Sequence, residues 1–235
     1  MANRARRPSP GRPSGHVAGS TTPIQIDDRG LPPGGSGAEG RRGLIDDLER
    51  ARLPATFFAG AAATVARSLI GCALVHRDRA GVIVETEAYL GPEDLASHAR
   101  FGPTARTSVM FGPGGVSYVY LCYGIHQMFN IVTGGPDDGQ AVLIRAIAPY
   151  AGLGSSATVG RGPGKVTQAL ALDRSHDRRD LARGDLFVAA ALVPPRIARG
   201  PRIGVAYAGA WAGRQLRFWW RDHAAVSRQP APRTR

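Results

Sequence analysis

The stretch GVIVETEAYL at 81–90 decides how this chain is read. It is apolar and β-branched through Val84, and the preceding CALVHRD at 72–78 reads the same way. Two strands joined by a tight turn around Arg79–Gly81 are predicted. On a strand successive side chains alternate faces, so Glu85 and Glu87 point the same way, about 6.5–7 Å apart at Cα. Val84, Thr86 and Ala88 would take the opposite face, toward a core. Paired carboxylates at that separation suit a general base and a partner acid with water between them. Two solvated side chains on an open strand face are the plainer alternative.

Outward from this strand the periodicity changes repeatedly. TFFAGAAATVARSLIG at 56–71 has helical spacing and stops at Gly71. GVSYVYLCYG and MFNIVTGG form a predicted hairpin, followed by another apolar strand, AVLIRAIAPY. GPGKVTQALAL opens on a Gly-Pro loop and continues as a helix, while DLFVAA, RIGVAY and LRFWWRD supply further short strands. Strands interrupted by a few helices predict an α+β fold, one domain on a curved antiparallel sheet with flanking helices and a protruding hairpin. Residues 1–52 are basic and rich in Gly, Pro and Ser, and are expected to be disordered apart from a short helix near 41–53. The domain is expected over 53–226, with a disordered tail at 227–235.

Charge narrows the function. The 235 residues carry a formal net charge of +12. Nine Arg against six acidic residues lie in 1–52, which leaves +9 on the remainder, so the folded part is itself basic. Such a body attracts polyanions, nucleic acid first among them. The two cysteines, Cys72 and Cys122, form neither a disulfide framework nor a zinc motif. With no apolar run of membrane length and no secretory leader, a cytoplasmic, nucleoid-associated protein is expected.

Four of the six tyrosines, Tyr89, Tyr118, Tyr120 and Tyr123, flank the acidic strand and the hairpin. Tyr118 and Tyr120 share a strand face, and Gly124 permits a tight turn beside Tyr123. Aromatic faces on a basic body suit stacking on bases, and a tyrosine at a hairpin tip suits a wedge in the duplex. The bland alternative is a cross-strand aromatic ladder. Gly162-Pro163-Gly164-Lys165-Val166 is not a P-loop, because Val159 and Val166 stand where Gly and Ser/Thr are required. Of the six histidines only His98 is a site candidate; His16 lies in the expected arm, and His76, His126, His176 and His223 have no ligand-like spacing.

Glu85-Thr86-Glu87-Ala88-Tyr89-Leu90-Gly91-Pro92-Glu93-Asp94, His98, Met110-Phe111-Gly112-Pro113, Tyr118-Val119-Tyr120, Tyr123-Gly124 and Asn130 together resemble the alkyladenine (3-methyladenine) DNA glycosylase family. Val142–Ala146 and Gly162–Lys165 continue the match in family order, over about 55–222. The resemblance implies that Glu87 activates a water, with Arg145 helping to hold it. It implies a base pocket formed by Tyr89, His98, Tyr120, Asn130 and Ala88. Tyr123 and Ile125 would intercalate, and Lys165 with Gly164 would hold a backbone phosphate. The implied partner is duplex DNA containing a damaged purine, handled by a monomer without metal or other cofactor. A lone lysine, Lys165, favours hydrolysis without strand cleavage, since lyases need an amine for a Schiff base. Thr107 and Gln127-Met128 depart from the family pattern. A carbohydrate glycosidase using Glu85 and Glu87, and a non-catalytic damage binder, are the competing readings; the basic body opposes the first and the intact Glu87 the second.

Overall fold

The structure is a computed structural model that describes residues 37–194 and 196–227. Most of the expected N-terminal arm and all but Ser227 of the expected tail lie outside these residues. The helix expected near 41–53 runs as α1, Ala38–Arg50, and buries Leu48 completely.

Two twelve-residue strands, β2 (Arg79–Leu90) and β5 (Gln140–Ala151), pair antiparallel along their length and form the spine of the sheet. Each changes partner along its outer edge. β2 pairs first with β1 (Ala73–His76) and then with β9 (Arg217–Trp220). β5 pairs with β4 (His126–Thr133) and with the two-residue β6 (Gly160–Arg161). β3 (Ser117–Cys122) extends the sheet beyond β4, β7 (Leu186–Ala189) beyond β1, and β8 (Ile197–Gly200) beyond β9. Among the described residues the sheet therefore has nine strands, antiparallel at every pairing, as the α+β prediction requires.

Alternation fails where it matters most. The β2–β5 register shifts on both sides of Glu85. Before this bulge Val82 and Val84 pack into the core with α1's Leu48; after it Thr86 and Ala88 face the opposite layer. There Thr86 Oγ1 donates to Ala66 O at 2.8 Å, on α2 (Ala62–Ser68). β5 changes faces too: Val142 and Ile144 join one core, Ala146 and Ala148 the other. The expectation that Val84, Thr86 and Ala88 share a face is thus wrong, because the extra residue rotates everything downstream. The bulge seats Glu85 opposite Arg145's neighbourhood at the point where both strands turn over.

Other differences have local causes. The turn between β1 and β2 sits at Arg77–Asp78, with Arg77 at φ +57°, two residues earlier than predicted, and Arg79–Gly81 already belong to β2. The helical stretch from 56 breaks into a 3-10 turn at Ala55–Ala59 and α2, separated at Gly60. RIGVAY is not a strand: it leads into 3-10 turns over Ala206–Gly213, because Arg202 and the Ile203 amide are committed to side chains elsewhere. The helix after the Gly-Pro loop is α3, Pro163–Ala169.

Candidate active site

β2 and β5 deliver the acidic and basic groups to one place. Glu85 and Glu87 are both completely buried, so neither is a solvated surface carboxylate. Arg145, from β5, spans them: its Nε donates to Glu85 Oε1 at 3.0 Å and its Nη1 lies 3.2 Å from Glu87 Oε1. Arg217 Nη1 donates to the same Glu85 oxygen at 3.1 Å, and the Ser227 amide donates to Oε2 at 2.7 Å. Charge-assisted bonds of this kind hold a guanidinium in a fixed plane.

Glu87 has a different set of donors. The Ile203 amide reaches Oε1 at 2.7 Å and the Tyr89 hydroxyl reaches Oε2 at 3.0 Å. A carboxylate offers about four acceptor positions. With Arg145 three are taken, which leaves Oε2 able to accept from one more molecule. Burial pushes the Glu87 carboxyl above its ordinary pKa, and Arg145, the Ile203 amide and the Tyr89 hydroxyl oppose that rise. The group is poised for proton exchange nearer neutral pH than a surface glutamate is.

In front of this carboxylate lies a cavity of about 430 Å³, lined by Tyr89, His98, Tyr118, Tyr120, Asn130 and Arg145 among others. That volume falls within the roughly 300–1,000 Å³ typical of small-ligand sites. Glu87 does not itself line the cavity; it sits one layer behind Tyr89, Arg145 and Ile203, which do. His98 stacks edge-on against Tyr120, centroids 4.7 Å apart, and its Nδ1 lies 3.0 Å from the Tyr118 hydroxyl. Burial, with Arg106 and Arg100 nearby, lowers its pKa to about 4, so the ring is neutral near pH 7. The Asn130 amide donates to the Tyr118 carbonyl at 3.1 Å, which fixes its side chain against the cavity wall.

The rim carries the remaining expected residues. Cys122 and His126 close the β3–β4 hairpin around Tyr123-Gly124-Ile125. Tyr123 adopts φ +50° and is 92% exposed at the cavity mouth; Ile125 is 71% exposed beside it. Lys165 is exposed on α3, whose Pro163 lines the cavity. A Cβ on Gly164 would come within 3.0 Å of the His126 ring, so glycine lets α3 lie against the hairpin. Ala88 departs from expectation. Its side chain lies in the main core rather than the cavity, a consequence of the bulge at Glu85. At the family departure, Thr107 Oγ1 donates to Gly102 O at 2.7 Å and receives the Thr104 amide at 2.9 Å, closing that turn. Met128, the other departure, lines the cavity.

Residues that sequence reading passed over complete the site. Arg202 and Asp94 form a buried pair at its back, Arg217 shares Glu85, and the Ile203 amide holds Glu87. Among the described residues no helix is long and apolar enough to cross a membrane, and no three or more His, Cys, Asp or Glu side chains gather as a metal site.

An antiparallel α+β domain with a carboxylate behind a tyrosine-lined cavity, on a cationic chain, has the makings of a DNA glycosylase, a hydrolase of base excision repair. The comparisons with known proteins say which. Residues 56–224 match the methylpurine-DNA glycosylase family, and the chain belongs to it. Relatives provisionally named 3-methyladenine DNA glycosylases share high identity. One from Myxococcus xanthus is 50% identical over 186 residues, covering 77% of this chain and 95% of its own. One from Anaeromyxobacter dehalogenans is 52% identical over 185 residues, covering 76% and 87%. One from Legionella pneumophila is 42% identical over 183 residues, covering 75% and 98%.

Proposed function

We propose that this DNA glycosylase turns a damaged purine out of duplex DNA into the tyrosine-lined cavity and hydrolyses its bond to deoxyribose with a water activated by Glu87. The observation that carries the reading is Glu87 itself: fully buried, held by three donors, with acceptor capacity left beside a base-sized cavity. A water on Oε2 would lie next to Tyr89 and Arg145. Glu87 would take its proton as the oxygen attacks the anomeric carbon, and the negative charge would stabilise the developing oxocarbenium ion.

Alkylated purines are cationic, so stacking on Tyr89 and Tyr120 gains cation–π attraction. If the Tyr118 hydroxyl donates to His98 Nδ1, the neutral His98 ring presents Nε2–H as a donor to the edge of the base. Asn130, immobilised beside it, limits which exocyclic groups fit. Tyr123 and Ile125, exposed on the hairpin, would fill the gap left by the extruded nucleotide, a flip that costs a few kcal/mol, least for damaged pairs. Lys165, with the close approach allowed by Gly164, would anchor a phosphate without reading sequence.

The product in this reading is an abasic site on an intact strand, since Lys165, the chain's single lysine, does not line the cavity. The protein is proposed to act as a monomer in the cytoplasm, without a metal or other cofactor. Incubating it with a duplex containing one ethenoadenine or hypoxanthine, with and without later alkali, tests this. Strand breaks only after alkali support the reading; breaks without alkali refute hydrolysis alone, and none in either case refutes base release.

A further inference from the structure

We infer that Arg202, clamped by Asp94, is a positioning residue that fixes Tyr89 from behind and sets how strongly the cavity favours cationic over neutral purines. The inference rests on the base-excision reading above. Both side chains are completely buried. Arg202 Nη1 and Nη2 donate to the two Asp94 oxygens at 2.5 and 2.8 Å, and Nη1 also donates to Ala88 O at 2.9 Å. Asp94 in turn receives the amides of Leu90, at 3.1 Å, and Ala96, at 3.0 Å. One ion pair therefore ties together the end of β2, which carries Glu87 and Tyr89, the loop leading to His98, and the segment 202–203, whose Ile203 amide holds Glu87.

The guanidinium carbon of Arg202 stands 4.7 Å over the Tyr89 ring, yet Arg202 does not line the cavity. Since Tyr89 lines the cavity and Arg202 does not, we assign Arg202 to the far face of the ring. A buried ion pair seldom adds stability over an apolar replacement of the same volume, so stability alone does not account for this one. Its position does. A cation behind the ring draws π density backward and weakens the attraction of the front face for a second cation. A cationic alkylated purine loses by this; a neutral base such as hypoxanthine does not. The arrangement evens out two substrate classes that an unbacked tyrosine would separate.

The test is single-turnover base release from duplexes containing 7-methylguanine or hypoxanthine, with thermal unfolding in parallel. In Asp94→Asn/Arg202→Met the thioether fills the stem's volume, and the asparagine oxygen still accepts a loop amide. The ratio of cationic to neutral release should rise about fivefold. Arg202→Lys keeps a charge and loses the fork, so the enzyme concentration giving half-maximal release should rise with the ratio held within about twofold of the parent. An unchanged ratio in the double variant, or an equal shift in Arg202→Lys, overturns the inference. If the double variant does not fold, Asp94→Asn/Arg202→Gln keeps the hydrogen bonds without the charges and is judged by the same ratio. Release of neither base by the parent protein would sink the base-excision reading instead, a separate result.

Discussion

Glu87→Gln separates the chemistry of this site from its architecture. Glutamine has the same volume, so its oxygen can keep the Ile203 amide and Arg145, now at 2.7 and 3.2 Å. Its amide nitrogen then donates to the Tyr89 oxygen, now 3.0 Å away, whose hydroxyl can reverse to accept. Arg145 loses one carboxylate but retains Glu85 at 3.0 Å, so no buried charge is orphaned. Each charge-assisted bond made neutral costs about 1 kcal/mol, and relief of the buried carboxylate's desolvation offsets part of this. With about half of that cost offset, a fall in Tm of roughly 3–6 °C follows. Loss of the general base should slow base release by roughly 10²–10⁴, about 3–5 kcal/mol of transition-state stabilisation. Duplex binding by gel shift should be retained while single-turnover release collapses. Because burial raises the Glu87 pKa and the ionised form does the work, parent activity should fall with decreasing pH at a midpoint above the usual carboxylate range. Release by the glutamine variant within tenfold of the parent would refute the assignment.

Tyr123→Ser removes a side chain that is 92% exposed, so Tm should hold while affinity for a lesion duplex drops about tenfold by fluorescence anisotropy. Lys165→Gln should lower the slope of log affinity against log salt by about one, equally for damaged and undamaged duplex. His98 has a folded-state pKa of about 4, below its unfolded value of about 6.5. The unfolded chain therefore binds the proton first, and stability present above pH 6.5 is lost as pH falls toward 4. His98→Gln should flatten that loss by about 2–3 kcal/mol in urea titrations at pH 7 and 4.5.

The sheet was legible because its strands are β-branched runs, and the hairpin tip because Tyr123-Gly124 announces a turn. Of the residues that the family resemblance singled out, Tyr89, His98, Tyr120 and Asn130 line one cavity together, and Arg145 lines it too. The bulge at Glu85 was not, since an extra residue in a ladder leaves no compositional trace; Ala88 was misplaced for that reason. β8 was missed because IARG is too short and too polar for an alternation pattern. RIGVAY was read as a strand from its apolar residues, whereas Arg202 is drawn to Asp94, 108 residues away. The backbone donors on Glu85 and Glu87 are the least visible, because an amide carries no residue identity.

Those two donors also say when this molecule becomes able to act. Ile203 lies 116 residues beyond Glu87 along the chain, and Ser227 lies 142 beyond Glu85. Once the ribosome has made β5, both acids, Tyr89, Arg145 and most of the aromatic wall already exist, but these two backbone donors do not. A nascent chain stalled before Ile203 would hold Glu87 without its backbone donor, and one stalled before Ser227 would hold Glu85 without its own.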